Sequence, residues 1–410
     1  MMNKAIRHLT VATPQGGSGV LAHENEYFFQ YSPDVAAEAE IALNMQRRIE
    51  PYRGQALLPI FEMNLPEGYV LEELRNRFAK VTQFDPMLLL AMTGHQAAVG
   101  RVSVRSPDVP DDPLDRGVKL DTILAWNGAE DLFRELSNRY LTRTGMSGVQ
   151  PKVVVPEDMS GTVYGKAAMA TSDLIVKSAG EKFPGLAVNE FICMSIAREA
   201  GVPVPEFYLS ENRQLFVMRR FDRTSLGESI GFEDMASLMG RSAQEKYRGS
   251  YAQIARAIET YCAPEHVSRA KAQLFDQVAL SAMLGNGDAH LKNFGLLYTH
   301  PSAADVQMAP AYDIVNTTRY IEEDQLALSL NGSKSLFLAR AGIFSFGEVC
   351  GIPDVVARLG QLIQAAEVIM FTQQALLEDE VELKDALRQG IDLFTHAYER
   401  ERGLQHRTVE

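Results

Sequence analysis

The chain has 410 residues, 46% hydrophobic and 23% charged, the make-up of a globular protein with material for two or three domains and a sizeable core. Its 53 acidic against 40 basic residues leave a net charge of -13, which argues against nonspecific attachment to DNA or anionic lipid as the main activity. Cys193, Cys262 and Cys350 are widely spaced and form no C-x-x-C pair, so neither a zinc site nor a disulfide framework is indicated. The amino-terminal stretch has no long apolar core and no apolar run reaches membrane-spanning length, so the expectation is a cytoplasmic protein that engages no membrane.

Residues 1 to about 105 read as a separate unit. His8–Thr13 and Gly19–Ala22 flank the hairpin signal Gly16-Gly17, and Tyr27–Tyr31 adds a strand. A helix carrying Leu71, Leu74 and Phe78 follows Pro66-Glu67-Gly68, and Ser106–Pro113, with three prolines and three aspartates, predicts an exposed loop. Val153–Val155 and Leu174–Lys177 read as strands, as do Phe207–Ser210 and Leu215–Arg219 around the turn Glu211-Asn212-Arg213. Between them Val188, Ile192 and Ile196 mark a helix closed by Gly201 and Pro203. Arg213, Arg219, Arg220 and Arg223 form either a basic patch or a charged strand edge and turn. Beyond residue 225 the pattern turns mainly helical, with Leu274, Phe275, Val278 and Ala282 on one helix and amphipathic helices at Leu359–Leu377 and Val381–Tyr398.

The helix through Ala282 delivers Gly285-Asn286-Gly287-Asp288-Ala289-His290-Leu291-Lys292-Asn293, and Tyr312-Asp313 follows. Asp288, Asn293 and Asp313 are the oxygen-bearing groups that ATP-dependent phosphoryl transfer needs. One carboxylate takes the proton of the attacking hydroxyl, while an amide oxygen and a second carboxylate hold Mg²⁺ on the phosphates. Phe294–Tyr298 predicts a strand, Thr299–Asp305 a turn and Val306–Ala311 a returning strand, a hairpin that brings the three groups to one edge. Lys177, ending a strand, suits the α- and β-phosphates, and Glu190 on the next helix suits holding its ammonium. Thr144–Lys152 is a glycine-containing turn of either phosphate-binding or domain-entry type; it has neither a G-x-G-x-x-G nor a Walker A pattern.

Taken together, Ser147-Gly148-Val149-Gln150-Pro151-Lys152, Lys177, Asn189-Glu190, Arg220-Phe221-Asp222-Arg223, the 286–293 loop, Tyr312-Asp313 and Leu328-Ser329-Leu330-Asn331-Gly332 resemble the HipA family of bacterial serine/threonine kinase toxins. Asn64-Leu65-Pro66-Glu67-Gly68 and Gly94–Gly100 are similar to that family's amino-terminal subdomain. The resemblance implies an α+β, two-lobed protein-kinase-like fold: an extra β-containing subdomain and linker over 1–139, a nucleotide-binding lobe over 140–220 and a helical lobe over 221–410. It implies ATP and Mg²⁺ as cofactors, Asp288 as catalytic base with His290 near the transferred phosphate, and Asn293 and Asp313 as metal ligands. ATP would be bound by Ser147, Gly148, Val149, Gln150, Lys152, Lys177, Glu190, Arg219, Phe221 and Lys292, with backbone around Arg219–Phe221 meeting the adenine. The implied partners are a HipB-like helix-turn-helix antitoxin, through which DNA contact is indirect, and a protein substrate such as an aminoacyl-tRNA synthetase. Where many members carry an autophosphorylated serine this chain has Gly145, so Ser147 or Thr144 is the candidate for that modification. A small-molecule phosphotransferase, suggested by the G-D-x-H-x-x-N spacing, and a co-repressor binding module remain the alternatives.

Overall fold

In the computed structural model of the chain the described residues are 6–78, 84–95, 98–109, 117–127, 131–146, 150–158, 173–180, 182–224 and 226–409, with Arg143 and 404–409 described by backbone alone. They gather into two compact units that interleave along the sequence. The first comprises Met1–Pro184, Glu206–Ala243 and Leu296–Val306, and the second Gly185–Pro205, Gln244–Gly295 and Gln307–Glu410. The sequence reading divides the chain serially instead, at 139/140 and 220/221.

The first unit holds two antiparallel sheets. β1 (His8–Thr13), β2 (Gly16–His23) and β3 (Tyr27–Tyr31) form a meander, with Leu9 opposite Leu21 and Leu21 opposite Phe29. The tight turn is Pro14-Gln15, so the predicted Gly16-Gly17 turn lies inside β2. β4 (Tyr52–Gly54) extends the sheet beyond β3 and β5 (Ser103–Arg105) closes it on β1. Of the predicted 106–113 loop, residues 110–113 lie outside the described residues and Ser106 is buried.

The second sheet has the order β6 (Lys152–Pro156), β7 (Asp173–Ser178), β9 (Leu215–Arg219), β8 (Phe207–Leu209). Val153, Val155, Leu174, Val176, Leu215 and Val217 form one face and pack on Phe133, Leu136 and Tyr140 of the helix Leu132–Tyr140. Period-2 alternation of apolar residues along each strand places these six together. The arginine cluster past β9 is neither a basic patch nor an exposed edge. Arg220 grips Asp222 through two bonds (Nε–Oδ1 2.9 Å, Nη2–Oδ2 2.6 Å), Arg223 lies 3.2 Å from the same carboxylate, and the Gly100 N–H donates to it at 2.7 Å. Both arginines also donate to the Ala98 carbonyl, so the loop at 98–100 is fastened to the end of β9 by a buried charge cluster.

The second unit is mainly helical. Leu186–Glu199, Tyr251–Tyr261, Pro264–Leu284, Leu336–Cys350, Val355–Thr372 and Val381–Val409 are its long helices. The predicted 359–377 helix is interrupted at Gln373, which ends one helix and starts the short Gln374–Glu378. Arg358 joins three of them, donating twice to Asp276 (2.8 and 2.7 Å) and once to the Ala200 carbonyl (2.9 Å). Contrary to the expectation, Val355–Thr372 is by length and composition apolar enough to cross a membrane, with mean hydropathy 1.3. Here it packs on the helices 186–199, 264–284 and 381–409 through Leu359, Leu362, Ala365, Ala366 and Ile369.

Candidate active site

The loop after Pro264–Leu284 is held from below. Gly285 leaves the helix in the left-handed conformation, and the Asn286 N–H reaches back to the Ser281 carbonyl at 2.9 Å. Gly287 lies so close to Asp324 and the Gln325 carbonyl that a Cβ would stand 2.6 Å from that carbonyl oxygen, so no side chain fits here. Its N–H donates to Thr317 Oγ1 at 2.7 Å, and that hydroxyl donates in turn to Asp324. Buried Asn286 accepts from the Asp288 N–H at 3.0 Å, an Asx-type turn that lifts the Asp288 side chain, 47% exposed, out of the loop. The Asp288 carbonyl accepts from the His290 N–H at 2.7 Å and from Asn293 Nδ2 at 3.0 Å.

The segment bearing Asp313 is laced to this loop. The Tyr312 hydroxyl donates to the Lys292 carbonyl at 2.7 Å, and Asp313 takes a positive φ of 58° that side-chain-bearing residues avoid. Such strain gathers where surrounding structure over-determines a functional group. Three residues on, fully buried Asn316 exchanges two 2.7 Å bonds with Asn189 (Asn316 N–H to Oδ1, Nδ2 to the Asn316 carbonyl) and donates to the Leu284 carbonyl at 2.7 Å. One amide thereby connects the helix 186–199, the end of the helix 264–284 and the Asp313 segment. The returning strand is only Gln307–Met308, because Pro310 has no N–H and the Ala311 N–H is given to the Pro203 carbonyl.

His290 lies buried, its Nε2 3.9 Å from Asp288 Oδ1. Burial, then Lys246, push its pKa down to about 3 against the opposing pull of Asp313, so at pH 7 the imidazole is neutral. Two aromatic residues that the sequence reading did not single out complete the surroundings. Tyr251, fully buried, donates to the Ala289 carbonyl at 3.1 Å, and Tyr247 donates from its hydroxyl to Asp288 Oδ1 at 2.7 Å.

In the first unit Lys152 and Lys177 are direct cross-strand partners on β6 and β7, both buried, with Lys177 Nζ 5.6 Å from the centre of the Phe216 ring. Two cationic side chains at one cross-strand position have the charge that a phosphate-binding face requires. Gln150 lies at the entry to β6, its amide 3.4 Å from the Ser178 carbonyl. Arg219 forms ion pairs with Glu157 and, at 2.7 Å, with Glu206. Its N–H donates to the Glu206 carbonyl and that of Arg220 to the Asp173 carbonyl, so these two amides are engaged within the sheet rather than turned to a purine. Phe221 meets Phe232 edge-on at 5.5 Å. Glu190 is fully buried on the helix 186–199 of the second unit.

Ser147, Gly148 and Val149 lie outside the described residues. Thr144 is a structural residue: its buried hydroxyl donates to the Tyr140 carbonyl and accepts from the Val154 N–H at 3.0 Å. A Cβ at Gly145 would stand 2.9 Å from the Asn64 carbonyl oxygen, which leaves no room there for a serine.

Among the described residues no group of three or more His, Cys, Asp and Glu is arranged to hold a metal. The donors of the 288–313 region fit a different arrangement. With Asn293 Nδ2 given to the Asp288 carbonyl, its amide oxygen is left as the acceptor end, and with the Asp313 carboxylate it offers hard oxygen donors. Two such ligands suit Mg²⁺, which takes the rest of its shell from water and substrate phosphates.

A family profile described as the HipA-like C-terminal domain matches residues 144–370, and one described as the HipA N-terminal domain matches residues 9–105. Protein Y4dM of Sinorhizobium fredii, provisionally named a kinase, is 31% identical over 307 residues, covering 70% of this chain and 69% of its own. The serine/threonine-protein kinase toxin HipA of Shewanella oneidensis is 24% identical over 268 residues, covering 58% and 60%. A solved structure of HipA, HipB and operator DNA from Shewanella oneidensis superposes with TM-score 0.66 at 19% identity over 96% of this chain and 97% of that one; the two share an α+β, protein-kinase-like fold.

Proposed function

The chain belongs to the HipA family, and from that premise we propose that it is an ATP- and Mg²⁺-dependent serine/threonine protein kinase, the toxin of a toxin–antitoxin pair. The observation that carries the reading is the presentation of Asp288: an exposed carboxylate on a loop whose backbone is fixed by Asn286, Asn293 and Thr317 and tied to the Asp313 segment by Tyr312. Catalysis by positioning asks for such rigidity, since a small misplacement of the base costs large factors in rate.

In this reading Asp288 accepts the proton of the acceptor hydroxyl as it attacks. Asn293 and Asp313 hold the metal, and Lys152 and Lys177, with Gln150 and the 147–149 loop, hold phosphate oxygens. Neutral His290 offers a hydrogen bond, and Lys292 a positive charge, beside the transferred group. Bound ATP–Mg²⁺ supplies the γ-phosphoryl group and neutralises its charge. The polypeptide around Phe221 lines the base pocket, with the Arg219 and Arg220 amides excluded from that role. Ser147 is the proposed site of autophosphorylation. The Shewanella structure holds HipA with HipB, which supports a HipB-like antitoxin as the partner here. A translation component such as an aminoacyl-tRNA synthetase is the proposed substrate, and the cytoplasm the proposed location.

The test is transfer of labelled γ-phosphate from ATP–Mg²⁺ into a bacterial extract, with wild type beside Asp288→Asn and labelled proteins identified by mass spectrometry. A discrete labelled protein that vanishes with the variant is the expected result. Label that does not depend on Asp288, or none, refutes the kinase reading.

A further inference from the structure

We propose that the Tyr247 hydroxyl occupies the acceptor-hydroxyl position on Asp288, so that a protein substrate must displace it before phosphoryl transfer begins. The inference rests on reading Asp288 as the base of a kinase. A general base has to lie within about 2.6–3.2 Å of the oxygen whose proton it takes. The Tyr247 O–H donates to Asp288 Oδ1 at 2.7 Å and so already meets that requirement. A phenol presents the same donor as a serine or threonine hydroxyl, and it satisfies the carboxylate while no substrate is bound.

Its placement is fixed from several sides. The Lys246 carbonyl accepts from the Leu291 N–H at 3.1 Å, inside the catalytic loop itself. The Tyr247 carbonyl accepts from Lys334 Nζ at 2.9 Å, and the Gly249 carbonyl accepts both the N–H and the hydroxyl of Ser329 at 3.1 Å. The ring stands edge-on to His290, with centroids 5.0 Å apart. Backbone anchors on both sides of Tyr247 thus hold the ring against the loop, while its side chain, in a residue 41% exposed, has solvent to swing into. Such a tyrosine ties up Asp288 Oδ1 against an attacking water and so suppresses wasteful ATP hydrolysis, and it yields to an acceptor that brings a hydroxyl and further contacts.

Tyr247→Phe removes the hydroxyl and keeps the ring on His290. Full-length wild type, Tyr247→Phe and Asp288→Asn are compared with ATP–Mg²⁺ and dephosphorylated casein, and again with water as the sole acceptor. The KM for casein in Tyr247→Phe should fall roughly tenfold, the size of one charge-assisted hydrogen bond that no longer has to be broken. The kcat and the KM for ATP should hold, and ATP hydrolysis should rise by a similar factor. An unchanged or higher casein KM, or a lower kcat, overturns the proposal and makes Tyr247 a residue that positions the base; Asp288-dependent transfer by wild type then leaves the kinase reading standing. No Asp288-dependent transfer or hydrolysis in either wild type or Tyr247→Phe overturns both.

Discussion

Asp222→Ala should cost the first unit about 3–5 kcal/mol, because it removes one of the two carboxylates, Asp222 and Asp173, that balance a pair of buried arginines. The carboxylate is fully buried and carries two bonds from Arg220, the nearby Arg223 guanidinium and the Gly100 N–H. Taking it away leaves the Arg220 Nε–H and the Gly100 N–H without an acceptor and leaves Asp173, 3.3 Å from Arg220, to balance two arginines, where removal of an exposed pair would cost under about 1 kcal/mol. The sole tryptophan, Trp126, packs against the core of β6, β7 and β9, so its fluorescence reports this unit. In urea, with a slope of about 2–3 kcal/mol per molar, the midpoint should fall by about 1–2 M. The pH dependence adds a second signature. Burial alone would raise the Asp222 pKa, but Arg220, Arg223 and the Gly100 N–H outweigh it and hold the carboxyl well below its ordinary value. A group depressed in this way stabilises fully above its unfolded value of about 3.9 and loses that contribution as pH falls toward the folded value. Wild type should therefore weaken in acid more steeply than the variant. A stability loss below about 1 kcal/mol refutes the view that the cluster fastens residues 98–100 to the end of β9.

Asp313→Ala should lower turnover by roughly 10²-fold or more, and near-wild-type activity would remove Asp313 from the metal site. Asn189→Ala leaves the buried N–H and carbonyl of Asn316 without partners and should cost about 2–4 kcal/mol in denaturation followed by circular dichroism; a loss under about 0.5 kcal/mol would mean that the lacing to Asn316 carries no weight. Glu233, fully buried, accepts from the Tyr298 hydroxyl at 2.6 Å and the Leu43 N–H at 2.7 Å. Burial pushes its pKa up to about 7, so the folded chain keeps a proton there that the unfolded chain releases above about pH 4.3. Stability should therefore fall as pH rises from about 4.3 to 7, and Glu233→Gln should abolish that slope and melt higher than wild type at pH 8; parallel melting curves would refute the assignment.

The parts of this protein visible in the sequence are those whose residue types are themselves the signal. The alternation from His8 to Tyr31, the helical stripe ahead of Gly285 and the 286–293 loop depend on neighbours close along the chain. What was not legible depends on partners far away. Asn189 and Asn316 are 127 positions apart, and nothing at either marks the other. Tyr247 lies in Gln244-Glu245-Lys246-Tyr247-Arg248, whose charges read as an exposed turn until the fold places the phenol on Asp288. Arg220 and Arg223 look like surface charges because their shared counter-ion comes from the same short stretch while the burial comes from elsewhere. Thr144 offers a hydroxyl of the right kind, and only the bond from the Val154 N–H shows that it is already committed.

The interleaving of the two units bears on how the protein is made. The chain passes from one unit to the other at 184/185, 205/206, 243/244, 295/296 and 306/307, so the first unit lacks its last piece until residue 306 has been synthesised. That piece carries Tyr298, the donor to Glu233, and Asp313 follows fifteen residues after it. Domains generally fold as units while the chain emerges. Here neither unit can finish early: the last strand of the first and the Asp313 segment of the second leave the ribosome almost together. A polypeptide cut short before that point lacks Tyr312, Asn316, Thr317 and Asp324, so its 286–293 loop is without these anchors.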